Sequence, residues 1–193
     1  MVDAAPLKLD PASTALVLID LQKGIVARPS YPYSGTEVVS RAAALTAKFR
    51  ARGATVVLVH VVYSPDGKDR LRAPIDAPPV AIPATPDFGE IMPELGRADT
   101  DIVITKRQWG AFYGTELDLQ LRRRGVRTLV LGGISTNMGV ESTARAASEH
   151  GYAIVFAENA MSGQSVEAHG FAVTTIFPRL GLIRSTDQIL AAL

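Results

Sequence analysis

The stretch "VRTLVLGGISTNMGVESTARAASEHGYAIVFAEN", residues 126–159, carries the pattern that decides the fold. It begins with an apolar run at 126–134, continues through a segment of helical spacing at 136–151, and returns to an apolar run at 152–159. Both runs are continuously hydrophobic, which is typical of strands that are covered on both faces in a parallel sheet. The stretch therefore predicts a β-α-β unit with a right-handed crossover.

The same alternation continues along the chain in both directions. The sequence predicts further strands at 14–20, 54–63, 100–106 and 181–185, and further helices at 37–53, 115–125 and 166–177. Glycine ends two of these helices, and Thr115 is a plausible N-cap of the second one. Alternating strands and helices predict an α/β sandwich, with one domain over residues 1–193.

Composition narrows the class of protein. Of 193 residues, 47% are apolar and 20% are charged, and the formal net charge is +1. This balance predicts a soluble globular protein and gives no electrostatic reason to expect nucleic acid or a membrane as a partner. No basic segment followed by an apolar run marks a signal peptide near the start, so we expect a cytoplasmic protein. The absence of cysteine excludes disulfides, cysteine-ligated zinc and thiol catalysis in this chain.

Three features follow the ends of predicted strands, where ligands bind in open parallel sheets. Asp20 ends the first strand, Lys106 ends the third, and the glycine-rich turn from Gly132 to Gly139 follows the fourth. Taken singly, Asp20 could cap a turn, Lys106 could extend to solvent, and the glycines could serve a tight connection. Together they predict a cleft with an acid–base carboxyl group beside a fixed positive charge.

Neighbouring residues complete the predicted site. Trp109 and Phe112 follow Lys106 and either form a wall of the cleft or pack in the core. Gln22 either orients Asp20 or a water molecule, or is exposed. His60 lies in an apolar run and His169 on a helix, and we interpret both as structural, so no metal is predicted.

These residues carry a resemblance that covers nearly the whole chain from about residue 14. The segments at 15–25, 104–152 and 172–190 resemble the isochorismatase-like hydrolase family, also called the cysteine hydrolases. The resemblance implies a Rossmann-like, three-layer α/β sandwich with a central, mainly parallel six-stranded sheet. It also implies a homo-oligomer, dimer or tetramer. The proline-rich segment 64–99 is then expected to cover the site or to pack on a partner subunit.

The resemblance also implies functional residues. The family's catalytic Asp and Lys correspond to Asp20 and Lys106, and its cysteine position corresponds to Gly139. A cis peptide is implied between Ile134 and Ser135, and substrate-facing positions correspond to Ser135 and Asn137.

True isochorismatases resemble this pattern, since they combine the Asp and Lys with glycine and cleave a vinyl ether without a nucleophile. The leading hypothesis is therefore a cofactor-free hydrolase of a small polar, carboxylate-bearing molecule. In this hypothesis Asp20 is the acid, Lys106 binds the substrate carboxylate, and Gly139 leaves room for substrate. Burial would raise the pKa of Asp20 and Lys106 would lower it, so the balance is open. Two alternatives also stay open, which are binding without turnover and a non-thiol amidohydrolase in which Asp20 activates water.

Overall fold

The computed structural model describes residues 7–77 and 85–193, and its core is one six-stranded sheet. The strands are β1 Thr14–Ile19, β2 Thr55–Val61, β3 Ile102–Lys106, β4 Thr128–Ile134, β5 Ala153–Ser162 and β6 Leu182–Arg184. Their order is β3-β2-β1-β4-β5-β6, and every neighbouring pair is parallel. The helices are α1 Lys23–Val26, α2 Gly35–Ala51, α3 Leu117–Arg123, α4 Glu141–Glu149, α5 Val166–Phe171 and α6 Thr186–Ala192. The predicted three-layer α/β fold is confirmed.

Strand β1 shows why the molecule has three layers. Its side chains are all buried, and they alternate between two separate hydrophobic clusters. Val17 and Ile19 belong to the cluster that includes α3 and α4, whereas Leu16 and Leu18 belong to the cluster that includes α2 and α6. Successive side chains of a strand point to opposite faces, so an apolar run is buried only when both faces are covered.

Helix α2 has well-defined boundaries because its sequence supplies both ends. Ser34 and Glu37 form a reciprocal capping box, in which each side chain hydrogen-bonds the other residue's backbone N–H. Gly53 follows the last turn with a φ of 69°, a left-handed conformation that glycine adopts without strain. The helix therefore starts slightly earlier than the apolar periodicity alone predicts.

Several local features differ from the sequence prediction. Helices α1 and α6 were not expected, and β5 continues three residues beyond the predicted end to Ser162. The predicted helix 166–177 divides into α5, a wider π turn and a short 3₁₀ turn. Helix α3 begins at Leu117, although the hydroxyl of Thr115 does accept a hydrogen bond from the Leu117 N–H at 3.2 Å.

The segment 64–99 is mainly irregular over its described part. A 3₁₀ turn occupies Pro93–Leu95, while residues 78–84 lie outside the described residues. The stretch from Phe88 to Met92 pairs with the loop after β1 through backbone hydrogen bonds, among them Gly24 N–H to Phe88 O at 3.1 Å. This stretch therefore lies at the same edge of the sheet as Asp20. Within the described ranges, no helix is long and apolar enough to cross a membrane.

Candidate active site

The sheet order creates a crevice between β1 and β4. These strands are neighbours, but the chain continues from β1 towards β2 on one side and from β4 towards β5 on the other. Connections that diverge in this way leave a gap beyond the carboxyl ends of the two strands, where ligands bind in open α/β sheets. Asp20 follows β1 and Ser135 follows β4, so the topology places both residues at this crevice.

Asp20 and Lys106 meet in this crevice although their strands are not adjacent. Lys106 ends β3, which β2 separates from β1, and its long side chain spans the gap. The Lys106 Nζ donates to Asp20 Oδ2 at 2.7 Å and to the Gln108 carbonyl at 3.0 Å. Lys106 is only 2% exposed and Asp20 only 6% exposed. The structure therefore shows the buried pair that the two strand ends predict.

The environment of Asp20 shows whether burial or Lys106 has the larger effect on its pKa, a question that the sequence leaves open. Burial raises the pKa of Asp20 to about 6, although the charge and the hydrogen bond of Lys106 act in the opposite direction. Its second oxygen, Oδ1, is buried and accepts no hydrogen bond from the described part of the chain. Because Oδ2 already accepts from Lys106, a proton on this carboxyl group resides on Oδ1.

The turn after β4 brings the backbone unusually close to β1. Gly133 has a φ of 123°, and a Cβ at this position would collide with the backbone of Ile19. Only glycine therefore fits here. The peptide bond between Ile134 and Ser135 is cis, as the family resemblance implies. The chain then enters a π turn over Thr136–Val140, so the helical segment begins at the predicted residue 136 but becomes an α-helix, α4, only at Glu141.

Gly139 lies in this π turn beside the buried pair. A Cβ added there would lie 2.9 Å from the Ile19 Cγ2, 3.3 Å from Asp20 Oδ2 and 3.4 Å from the Trp109 carbonyl. The expectation that the glycine leaves open space is therefore wrong at the Cβ position itself, because Ile19 packs against it. Glycine instead lets the π turn approach Asp20 closely.

Thr143 connects this turn to the segment after β3. Its hydroxyl donates to the Gly139 carbonyl at 2.7 Å and accepts from the Ala111 N–H at 3.1 Å. The side chain is fully buried. One hydroxyl thus fixes the distance between the π turn and the chain that carries Trp109.

A cavity of about 210 Å³ opens next to the Asp20–Lys106 pair. Among the predicted site residues, it is lined by Asp20, Lys106, Trp109, Ile134, Ser135 and Gly139. Eleven further residues line it: Ile25, Arg28, Pro29, Ser30, Val61, Tyr63, Phe88, Gln108, Met138, Gly163 and Gln164. Most of its walls are apolar or aromatic, as in typical small-molecule sites.

Three predicted substrate-binding residues do not line the cavity. Gln22 is fully buried, and its amide bonds the Val61 N–H, the Val61 carbonyl and the Phe88 carbonyl. It therefore positions the stretch from Phe88 to Met92 beside the cavity. Phe112 is 7% exposed and stacks on His150 at a centroid distance of 5.0 Å, so it belongs to the core. Asn137 lies beside Gly163, behind the cavity wall.

The rings of His60 and His169 are engaged in hydrogen bonds. The ring nitrogens of His60 contact the Gly89 carbonyl and the Thr105 hydroxyl, each at 2.7 Å. His169 is buried between Thr136 at 2.9 Å and Glu158 at 3.2 Å. Its hydrogen bond lowers the pKa of Glu158. Both histidines thus hold neighbouring segments in place, and no cluster that could bind a metal occurs within residues 7–77 and 85–193.

Sequence reasoning missed most of the residues that line the cavity. Tyr63 follows β2, and Gly163 and Gln164 follow β5, so the strand-end rule used for Asp20 would have found them. Arg28 and Phe88 follow no strand directly. Phe88 is held there by backbone pairing between the loop after β1 and the stretch from Phe88 to Met92, which sequence patterns do not reveal.

Comparison with known proteins gives a consistent result. The Isochorismatase domain family model matches residues 14–188. The isochorismatase family protein YecD of Escherichia coli O157:H7 is 51% identical over 187 residues, which cover 97% of this chain and all of the relative. An isochorismatase family protein from Burkholderia thailandensis superposes with a TM-score of 0.93 at 48% identity, covering 98% of this chain and 99% of the other.

A more distant relative has an activity in its name. The ureidoacrylate amidohydrolase RutB of Methylobacterium radiotolerans is 31% identical over 216 residues, covering 97% of this chain and 82% of the relative. The fold, the crevice with its buried carboxylate–ammonium pair, and these similarities agree. The chain belongs to the isochorismatase family of hydrolases.

Proposed function

We propose that this protein is a cofactor-free hydrolase that cleaves the vinyl ether of a small, carboxylate-bearing substrate. The observation that supports it best is the state of Asp20, whose buried carboxyl group has a pKa raised to about 6. A general acid must hold a proton near neutral pH and release it to the substrate, and burial beside a cavity achieves this. Its Oδ1, where the proton resides, is not engaged by a described residue.

The reaction then requires one proton and one water. Asp20 transfers its proton to the terminal carbon of the vinyl ether, which leaves a positive charge shared between the adjacent carbon and the ether oxygen. Water adds to that carbon and returns a proton to the Asp20 carboxylate. The resulting hemiketal collapses to a ketone and an alcohol, so the enzyme ends as it began. Lys106 stays bound to Oδ2 and stabilises the carboxylate that forms.

The absence of a thiol fits this chemistry. The chain contains no cysteine, and we take Gly139 as the position that carries the nucleophile in thiol-dependent relatives. A vinyl ether needs no covalent nucleophile. Ser135 lines the cavity, but no described histidine contacts its hydroxyl, so we assign it to substrate binding rather than to attack.

The test is direct. Purified protein is incubated with isochorismate, and pyruvate is measured with lactate dehydrogenase and NADH. We expect pyruvate from the parent and at least a hundredfold slower release from Asp20→Asn, which keeps the shape but cannot transfer the proton. Arg52→Gln, at an exposed residue after α2, is the control and should match the parent. Absence of pyruvate from folded parent protein would remove vinyl ether cleavage from consideration.

A second candidate is a non-thiol amidohydrolase, which the similarity to a ureidoacrylate amidohydrolase favours. Here an ionised Asp20 would remove a proton from the attacking water. Ammonia release from ureidoacrylate, with no pyruvate from isochorismate, would support this activity. If neither substrate reacts, binding without turnover remains. In that case a Gly139→Cys variant that gains amidase activity would indicate a degenerate thiol enzyme.

A further inference from the structure

Tyr63 lines the cavity, and the proposed reaction gives it no role. It follows β2, the strand that lies between β1 and β3 in the sheet. Asp20 comes directly after β1, and Lys106 ends β3. All three strands are parallel, so their carboxyl ends lie on one side of the sheet, and Tyr63 shares that side with both members of the buried pair.

The side chain of Tyr63 is directed towards the cavity. The Val62 N–H still donates to the Lys106 carbonyl at 3.3 Å, so the chain stays extended beside β3 past the end of β2. Side chains alternate along an extended chain, which puts Val61 and Tyr63 on one face and Val62 on the other. Val61 and Tyr63 both line the cavity. Val62 packs against Gly89 instead, where an added Cβ would lie 2.6 Å from the valine Cγ2.

The segment after Tyr63 is anchored, which fixes the position of the ring. The Arg70 guanidinium lies over this ring, at 4.7 Å from its centroid. The Asp69 carboxylate accepts a hydrogen bond from the Ser64 N–H at 2.9 Å and pairs with the Arg107 Nε at 2.6 Å. Arg107 directly follows β3, so these contacts hold the segment after Tyr63 against the end of that strand.

The hydroxyl of Tyr63 is available to a ligand. It makes no hydrogen bond with a described residue, and it is not among the unpaired oxygens that are buried, so solvent reaches it. Burial raises the pKa of Tyr63 above its ordinary value, Arg70 lowers it, and the charge of Asp20 raises it further. The phenol therefore keeps its proton at neutral pH and is a hydrogen-bond donor.

Two other polar side chains of the wall have their donors engaged within the protein. The Ser30 hydroxyl donates to the Tyr33 carbonyl at 2.9 Å. The Gln108 amide nitrogen donates to two carbonyls of its own loop, at 2.7 Å and 3.0 Å. The Tyr63 hydroxyl, in contrast, can donate to a ligand oxygen beside Asp20 without the loss of a bond inside the protein.

We propose that Tyr63 is a further substrate-binding residue, whose hydroxyl donates a hydrogen bond to an ether, carbonyl or carboxylate oxygen of the substrate next to Asp20. The proposal deepens the proposed function and rests on it, since it takes this cavity to be the substrate site. A site that donates to a substrate oxygen rejects molecules without that oxygen, because the donor is then left unpaired. Tyr63 therefore selects an oxygen-bearing substrate, while Asp20 transfers the proton.

Tyr63→Phe tests the proposal because it removes the hydroxyl and keeps the ring. Tyr113→Phe is the matched control, since Tyr113 is 83% exposed and does not line the cavity. With isochorismate as substrate, we expect Tyr63→Phe to lower kcat/KM about tenfold, mainly through a higher KM. Tyr113→Phe should match the parent, and thermal melting checks that both variants are folded.

A second measurement detects the hydrogen bond without turnover. The tyrosines are labelled with carbon-13 at Cζ, whose NMR chemical shift responds to hydrogen bonding of the hydroxyl. The spectrum of Tyr63→Phe identifies the Tyr63 signal among the five tyrosines of the chain. Asp20→Asn, which cannot transfer the proton, is titrated separately with isochorismate and with ureidoacrylate. We expect isochorismate to shift the Tyr63 signal and to leave the Tyr113 signal in place.

The outcomes separate this proposal from the proposed function. If the parent releases pyruvate and Tyr63→Phe keeps kcat/KM within twofold, the role of Tyr63 is refuted and vinyl ether cleavage stands. If the parent releases no pyruvate but either compound shifts the Tyr63 signal, vinyl ether cleavage is refuted and the role of Tyr63 is supported. If neither compound shifts that signal, the role of Tyr63 is refuted whatever the rates are.

Discussion

At the scale of single residues, the proposed function makes the pH dependence of the reaction depend on the protonation of Asp20. Its pKa is raised to about 6, and the protonated form is the one that donates. If Asp20 is a general acid, kcat/KM falls as pH rises through about 6. If it is a general base that activates water, the active form is the carboxylate and kcat/KM rises over the same range. The profile of kcat/KM against pH reports the group in the free enzyme.

The direction in which kcat/KM changes near pH 6 separates the two candidate activities. A descending limb near pH 6 with isochorismate supports proton donation to carbon. An ascending limb with ureidoacrylate supports water activation. A flat profile between pH 5 and pH 7 with either substrate would contradict an acid–base role for Asp20. Buffers of matched ionic strength keep the screening of the Asp20–Lys106 pair constant across the titration.

The second prediction at this scale concerns Gly139. A methyl group there would lie 2.9 Å from the Ile19 Cγ2, and Ile19 is fully buried and branched at Cβ. We expect Gly139→Ala to lower the free energy of unfolding by about 1–3 kcal/mol through overpacking, which outweighs the gain of up to about 1 kcal/mol in helix propensity.

Gly170 provides the matched control for this substitution. It lies in α5 and a Cβ there would have no described atom within 4 Å. Gly170→Ala should therefore raise stability by about 0.5–1 kcal/mol. Urea denaturation of both variants measures the difference. If Gly139→Ala proves as stable as Gly170→Ala, Ile19 moves aside without loss of stability. The close contact between Gly139 and Ile19 then does not limit the residue at position 139.

The residues of the site were predictable to the extent that they follow strands. Asp20, Lys106 and the glycine turn were found because the strand-end rule requires only an apolar run and its last residue. The places of Gln22 and Phe112 stayed open between two alternatives because sequence does not show which way a side chain points after a strand ends. Gln22 turns inward to satisfy backbone groups of Val61 and Phe88, a long-range pairing that no local pattern encodes.

At the scale of elements, the connection between the π turn and the segment after β3 depends on one hydroxyl. Thr143→Val keeps the shape of the side chain but leaves the Ala111 N–H and the Gly139 carbonyl without their partner. We expect a loss of about 1–3 kcal/mol in the free energy of unfolding, since both groups are next to a fully buried side chain. We also expect a higher KM, because Trp109 is then less firmly placed.

Thr143→Ser is the control because it keeps the hydroxyl and removes one methyl group. It should lose about 1 kcal/mol and leave KM near the parent value. Denaturant unfolding and initial rates with the active substrate check both variants. Equal behaviour of the Val and Ser variants would show that packing of the methyl group, and not the hydrogen bonds, is what this position contributes.

Elements were predictable where the pattern was long. All six strands and the helices α2 to α5 follow from apolar runs and periodic spacing. Helix α1 has only four residues, which is too short for a 3.6-residue period to repeat. Helix α6 has seven residues, as many as α3, and was missed because no helix was predicted after the last strand. The π turn at Thr136–Val140 differs from an α-helix only in which carbonyl accepts each hydrogen bond. The turn packs against β1 at Gly139 and bonds α5 through Thr136 and His169, and no local sequence pattern shows these contacts.

At the scale of the whole molecule, the segment Leu71 to Ala77 exposes large aliphatic side chains to solvent when the chain is a monomer. Every residue in it is exposed, and Leu71 and Ile75 are 80% and 70% exposed. Exposed apolar patches are typical of surfaces that another chain covers, whereas single exposed apolar side chains are common on monomers. We therefore propose that the protein forms the dimer or tetramer expected from the sequence, with this segment at the subunit interface.

We expect light scattering to give two or four times the chain mass of 20.5 kDa. Replacing both Leu71 and Ile75 by Asp should shift the mass towards that of a monomer, because charges at the contact would have to be desolvated. Leu119→Asp, at a residue of α3 that is 47% exposed, is the control and should leave the mass unchanged. A parent mass of 20.5 kDa at micromolar concentration would contradict the oligomer. If Leu119→Asp alone lowers the measured mass of the oligomer, the subunit interface lies at α3 instead.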